Sequence, residues 1–150
     1  MVDILLKKAG AKDWKEVEFF EKNAACKYYF PINGEDNIKE FLKHSYVYFI
    51  VFQEKTVGLI SYKFEDDGFV YINGFNVLPE HRRKGIATET LKKIMGIFEC
   101  QKKFRMVVHP DNKPVIILYM KQNFVIKGWK NNYFGDGQPR LLIETVDNPL

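Results

Sequence analysis

A mixed α/β (α+β) sheet of about seven strands, antiparallel in its N-terminal part, with a central parallel pair and about four flanking helices, is the fold class the sequence predicts. Three observations carry it. Runs dense in β-branched and aromatic residues follow one another from Tyr46 to Leu78 with only short turns between them, as antiparallel hairpins do. A strand, a long amphipathic helix and a second strand then fill Phe69 to His109, which requires a parallel pair closed by a right-handed crossover. Helical periodicity precedes this block and returns after it, so helices and strands belong to one architecture.

Taken in order, Ile4 to Ala9 reads as a first strand that leaves through Gly10-Ala11-Lys12. Asp13 with Glu16 three residues on has the form of a capping box, and Trp14, Val17, Phe20 and Ala24 recur behind it at helical spacing. Pro31, Asn33 and Gly34 break that pattern, and Asp36 to His44 resumes it with Ile38, Phe41 and Leu42 on one face. Tyr28, Tyr29 and Phe30 occupy the break, either as a hydrophobic staple between the helices or as a wall of a binding cleft. Tyr46 to Phe52 and Thr56 to Phe64 make a hairpin around Gln53-Glu54-Lys55, and Glu65 to Gly68 turns the chain into a third strand, Phe69 to Leu78. Ala87, Leu91, Ile94 and Phe98 lie on one side of the long helix, and Phe104 to His109 is the strand that follows.

Within Asp111 to Phe124 the β-branched run Val115-Ile116-Ile117 favours a strand by propensity. Asp111 or Asn112 as cap, Pro114 in the first turn, and Val115, Leu118 and Tyr119 on one face decide for a helix. Phe124 to Trp129 and Arg140 to Val146 are the closing strands, joined by the loop Asn131 to Pro139.

The composition narrows the function. With 150 residues, 46% of them hydrophobic, the chain is expected to form one domain over residues 1–150 with a sizeable core. No apolar run approaches roughly eighteen residues and the first residues are too few and too charged for a signal peptide, so a cytoplasmic protein without a membrane partner is expected. Cys26 and Cys100 lie far apart with no Cys or His at ligand spacing, which argues against a disulfide framework and against a metal site. The net charge is +4, and without Arg82, Arg83 and Lys84 it falls to +1. A basic excess this local suits a phosphorylated small molecule and not a long nucleic acid; the aromatics, moreover, lie in apolar strands and do not interleave with the basic loop.

That loop is the centre of the functional reading. Phe75 to Leu78 ends a strand at Pro79, Arg82-Arg83-Lys84 is a cationic triplet, and Gly85 removes the Cβ that would hold a ligand off the backbone before the helix begins. Free N–H groups at a helix start bind phosphate, and the three cations add charge-assisted hydrogen bonds.

Arg82 to Ala87 fits the pattern Gln/Arg-x-x-Gly-x-Gly/Ala, preceded by Val77-x-Pro79. Asn112, Leu118, Tyr119, Lys121 and Phe124 fit Asn-x-x-Ala-x-x-Leu-Tyr-x-Lys-x-Gly-Phe, with Val115 in place of the alanine and Asn123, which tolerates a left-handed backbone, in place of the glycine. In these two motifs and in its element order the sequence resembles the GNAT superfamily of acetyl-CoA-dependent N-acyltransferases. The resemblance implies that the central parallel pair is splayed. It implies too that Arg82, Arg83, Lys84, Gly85, Ile86, Ala87 and Thr88 grip the pyrophosphate of coenzyme A, and that the main chain of Phe75, Asn76 and Val77 holds the pantetheine and the acetyl carbonyl. Asn112 and Lys121 match positions on the pantetheine and the adenosine phosphate side.

Tyr119 matches the tyrosine that protonates the departing thiolate; a phenol near 10 against a thiol near 8.5 could serve only with some local lowering. The activity implied is direct acetyl transfer, in a ternary complex, to a primary amine of a small molecule or peptide, by a monomer or homodimer. Many members carry a glutamate base on the strand corresponding to Phe69 to Leu78, and none stands here. Asn73 or Tyr71 holding a water, a base from another element, an acceptor that enters neutral, or His109 are the alternatives. A non-catalytic acyl-CoA-binding module is the rival reading, with Tyr119 against it. The acceptor is implied to lie between Tyr28 to Glu35 and Asn131 to Gly137, where Glu35, Asp36 and Asp136 suit a cationic amine or a peptide amino terminus.

Overall fold

The computed structural model describes residues 2–98 and 102–146. Seven strands form one sheet in the order β1-β2-β3-β4-β5-β7-β6, from β1 (Leu5–Lys8), β2 (Tyr46–Phe52), β3 (Lys55–Phe64), β4 (Val70–Val77), β5 (Phe104–Val108), β6 (Phe124–Lys130) and β7 (Arg140–Thr145). Among the described residues four helices flank it: α1 (Trp14–Ala24), α2 (Glu35–His44), α3 (Ile86–Ile97) and α4 (Lys113–Lys121). The expected class is borne out, with β1 to β4 antiparallel and β4 parallel to β5. The chain's last strand, β7, inserts between β5 and β6, antiparallel to both.

Period-2 alternation distributes the core to the two faces of the sheet. Val47, Phe49 and Leu59 meet Val17 and Phe20 of α1 and Ile38 of α2. Ile50, Ile60, Ile72 and Met106 face the other way, against Ile86, Leu91 and Ile94 of α3 and Tyr119 of α4. Each such side chain removed from water contributes about 1.5–3 kcal/mol, so the helices are held by their apolar stripes more than by propensity. This explains why Val115-Ile116-Ile117 is helical: Val115 and Ile116 pack against the second of these clusters, and tertiary burial overrides the β-branched preference.

Local chemistry differs from expectation at two caps. Asp13 does not cap α1; its carboxylate accepts the Gly10 N–H at 2.8 Å and closes a single 3-10 turn, Ala11–Asp13, ahead of the helix. Asn112 holds the N-cap position of α4 without a side-chain hydrogen bond, and Asp111 reaches away to Lys27 at 3.2 Å. Asn123, by contrast, has φ +66°, the left-handed end anticipated for it.

The feature that positions the site is the incompleteness of the parallel pair. Only Val70 with Phe104 and Tyr71 with Arg105 are in register, after which β4 and β5 diverge, so Ile72 to Val77 have no strand partner on that side. On its other side β4 stays paired with β3 through a bulge at Asn73, where Ser61 faces Gly74 and Tyr62 faces Ile72. The seam is tight there. A Cβ on Gly58 would stand 2.1 Å from the Asn76 carbonyl oxygen, so position 58 admits only glycine at this strand spacing.

Candidate active site

The gap between β4 and β5 opens into a cavity of about 320 Å³. Gly74, Phe75, Met106, Val108, Asn112 and Tyr119 line one part of it, and Glu21, Tyr28, Tyr29, Phe30, Phe134 and Arg140 another. At the mouth of the gap the chain passes from β4 through a short 3-10 turn, Pro79–His81, into the basic loop. Arg82 Nε donates to the Val77 carbonyl at 3.0 Å, which fastens the loop to the end of the strand. Arg83 (φ +62°) and Gly85 (φ +82°) both adopt the left-handed conformation, in an exposed turn that leads into α3. Such alternation turns successive N–H groups toward one concavity, and a non-glycine residue held there is strained by roughly 1–2 kcal/mol. Ile86 is buried in the core, so only its backbone is available to a ligand, while Ala87 and Thr88 are half-buried in the first turn. The Nδ1 of His81, immediately before the loop, is buried without a hydrogen-bond partner among the described residues. Open β4 backbone, a nest of N–H groups and exposed cations together suit an anionic group held at the mouth of the gap. Lys121 is exposed at the end of α4 and does not line the cavity.

Tyr119 is 4% exposed and borders the gap from α4, tilted against Phe124. Burial raises its phenol well above the ordinary value, the opposite of the lowering a proton donor of this kind was expected to need. The ring therefore stands protonated across the physiological range, a hydrogen-bond donor before it is an acid. Tyr71 also lines the cavity, its phenol raised by burial and by the neighbouring Tyr133. Asn73 lines the cavity at the bulge, but its side chain is committed on both sides: Ser61 Oγ donates to its oxygen at 2.7 Å and its nitrogen donates to Ser45 Oγ at 2.9 Å. His109 is no free base. It is 2% exposed, its Nδ1 accepts the Asp111 N–H at 3.0 Å, and Nε2, which then carries the proton, faces Gln138 Oε1 at 2.8 Å. It locks the β5–α4 turn.

The segment between α1 and α2 crosses the gap as a strap. Lys27 pairs with Asp111, Tyr28 packs on the His109 ring at 4.9 Å, and Phe30 stacks on Phe134 of the β6–β7 loop at 5.8 Å. Tyr28, Tyr29 and Phe30 thus line the cavity. None of the acids expected near the acceptor lines the cavity: Glu35 pairs with Lys39 on the surface, Asp36 is exposed in the first turn of α2, and Asp136 pairs at 3.0 Å with Arg140, which does line it.

The carboxylate that does line the cavity is Glu21, 2% exposed, on α1. Tyr29 Oη donates to its Oε2 at 2.6 Å, Ile32 N–H to its Oε1 at 3.0 Å, and Asn76 Nδ2 to its Oε2 at 3.3 Å. Burial raises its carboxyl above the usual range against the pull of Tyr29 and Ile32. The sequence carried a signal for it, since Glu21 falls on the Val17, Phe20, Ala24 stripe, where a charge is out of place. Arg140 had no such signal, because only the loop's fold brings it over the gap.

A splayed strand pair, a left-handed turn at a helix start and a buried tyrosine beside the gap thus meet at one cavity. The chain belongs to the acetyltransferase (GNAT) family, whose profile matches residues 10–124. It is an acetyltransferase, and acetyl-CoA is the family's acyl donor. The fold is shared with the ribosomal-protein-S18-alanine N-acetyltransferase from Escherichia coli (16% identity, TM-score 0.79, 99% of each chain covered). It is shared too with Arabidopsis thaliana Naa50 bound to the bisubstrate analogue CoA-Ac-MVNAL (18% identity, TM-score 0.76, 97% of this chain and 100% of that one). A spermidine N-acetyltransferase chimera involving the Vibrio cholerae enzyme SpeG is similar as well (17% identity, TM-score 0.77, 95% of each chain). Among curated proteins none matches the sequence significantly.

Proposed function

We propose that the protein transfers the acetyl group of acetyl-CoA directly to a primary amine, of a small molecule or a peptide, with both substrates bound at once. The observation that carries this reading is that one cavity receives the open edge of β4, Tyr119 and the aromatic strap together. Bound acetyl-CoA supplies an activated acetyl group on a thioester. Arg82, Arg83, Lys84 and the N–H groups from Gly85 to Thr88 hold its pyrophosphate, and the backbone of Phe75, Asn76 and Val77, where β4 has parted from β5, lines its pantetheine arm and orients the acetyl carbonyl, with Asn112 alongside. Tyr119 donates a hydrogen bond at the sulfur as the thiolate leaves. Tyr28, Phe30 and Phe134 exclude water from the acceptor side and leave room for an amine attached to a narrow chain. That a spermidine acetyltransferase and an enzyme crystallised with a peptide analogue share the fold supports an amine acceptor and leaves both kinds open.

The test is incubation with radiolabelled acetyl-CoA and a panel of polyamines, arylalkylamines and peptides with free amino termini. Label transferred to an amine is the expected result. Tight coenzyme A binding with no transfer to any member would convert the reading to that of a binding module.

A further inference from the structure

We infer that Tyr29 and Glu21 form a proton relay for the acceptor amine, in place of the carboxylate missing from β4. The inference rests on the transferase reading above and deepens it. Glu21 is a carboxylate within the cavity wall whose hydrogen-bond partners among the described residues are the neutral donors Tyr29, Ile32 and Asn76. Fastening the strap to α1 and β4 does not need the charge: a glutamine would accept the Ile32 N–H as well, and burying an ionised group without a cation is expensive. Among the described residues no cation is paired with the Glu21 carboxylate. An ammonium on the acceptor is such a cation, and the cavity is where it would enter.

Tyr29 connects that carboxylate to the reacting edge. Its hydroxyl lies 3.6 Å from where a Cβ of Gly74 would stand, against the β4 bulge, and the Phe75 N–H and the Asn76 amide are within its hydrogen-bonding reach. The other titratable or charged groups lining the cavity are Tyr28, Tyr71, Tyr119 and Arg140, and Arg140 is committed to Asp136 and the Pro139 carbonyl. Glu18, one turn earlier on α1, accepts the Gly34 N–H and pairs with Lys22, away from the relay.

The proton balance closes. An entering R–NH3+ gives one proton to the Tyr29 oxygen while the Tyr29 proton passes to Glu21 Oε2, which leaves R–NH2 and a neutral carboxyl. The nitrogen lone pair forms the C–N bond as the C–S bond breaks and its electron pair moves to sulfur. The amine's second proton is the net source of the thiol proton, and Glu21 returns the first to solvent. A buried carboxyl with a raised affinity for protons suits that task, since it matches the amine more closely than an ordinary glutamate does.

The experiment compares wild type with Glu21→Gln and Tyr29→Phe. Both variants are expected to lose about 10²–10⁴-fold in kcat/KM for the amine, to keep the thermal protection given by coenzyme A, and to lose the wild-type acid limb of the pH–rate profile. The melting temperature of Glu21→Gln is expected unchanged or raised, because a buried charge is removed. If Glu21→Gln fails to fold, Tyr29→Phe carries the test, since it leaves Glu21 bonded to Ile32. A readout apart from turnover is the carboxyl 13C resonance of Glu21, expected to titrate above the ordinary glutamate range and to move when an amine is added. A Glu21 that titrates in the ordinary range, or variants that keep activity and the same acid limb, overturn the relay. Wild type without coenzyme A protection would instead overturn the transferase reading, which separates the two failures.

Discussion

Tyr119 shows how far a side chain's chemistry depends on where the fold puts it. Its position in a motif marks it as the group beside the thiolate, yet burial raises the phenol where an acid would need it lowered. Tyr119→Phe keeps the packing against Phe124 and is expected to lower kcat about 10²-fold or more while coenzyme A binding holds. The raised phenol also moves its ionisation out of the working range: a group that stays protonated until high pH gives no alkaline fall below about pH 10. Rate measurements from pH 6 to 10 check this. A wild-type alkaline limb that disappears in Tyr119→Phe would show a phenol lower than its burial implies.

Two opposed devices hold β4, one at each end. At the open end, on the proposed reading, the basic loop serves a ligand and not stability. Exposed cations contribute little to folding, so replacing Arg82 and Lys84 together by Ala is expected to raise the KM for acetyl-CoA at least tenfold with the fold retained. Arg82 adds a positioning part through the Val77 carbonyl, so Arg82→Ala alone should cost more than Lys84→Ala alone. Steady-state kinetics beside circular dichroism distinguish this from a structural triplet, in which the double variant would unfold.

At the closed end Arg105 of β5 clamps the sheet. Its guanidinium meets Glu65 at 2.8 Å, Asp67 at 2.9 Å and Glu144 of β7 at 2.7 Å, and lies 4.0 Å above the Phe69 ring. Arg105→Met is expected to destabilise by about 1–2 kcal/mol, since the guanidinium holds three carboxylates at once but water reaches the cluster, Asp67 above all. The Phe69 N–H, then Arg105, hold the Asp67 carboxyl below its usual value. A lowered acid stabilises above its ordinary range and loses that contribution as pH falls through the lowered value, so the deficit of Arg105→Met should shrink on acidification. Urea melts at pH 7 and pH 3 measure it; an equal deficit at both would assign the loss to packing on Phe69.

For the molecule as a whole, the cofactor slot is part of the stability. A ligand that binds only the folded state adds RT ln(1 + [L]/Kd), about 2.7 kcal/mol at a hundredfold excess over Kd, so coenzyme A and desulfo-coenzyme A should both raise the melting temperature by several degrees. An unchanged melting temperature at millimolar coenzyme A would remove the assignment of the slot. The sequence alone determined the elements, because apolar period and turn chemistry are local: Tyr46 to Phe52 is strand to the residue, and Arg82 to Thr88 is legible as an anion loop from charge, glycine and helix start. It also determined the parallel pair, since a helix-sized crossover permits little else. What only the tertiary structure decided are relations between distant segments. The register of β4 with β5 stops after Tyr71, β7 enters ahead of β6, and the strap carries Tyr29 to the β4 bulge, where Glu21 meets it from α1. The physical reason is that a side chain's ionisation and role follow from the dielectric and the partners around it. For Glu21, Tyr119 and His109 those are supplied by residues up to 55 positions away in the chain.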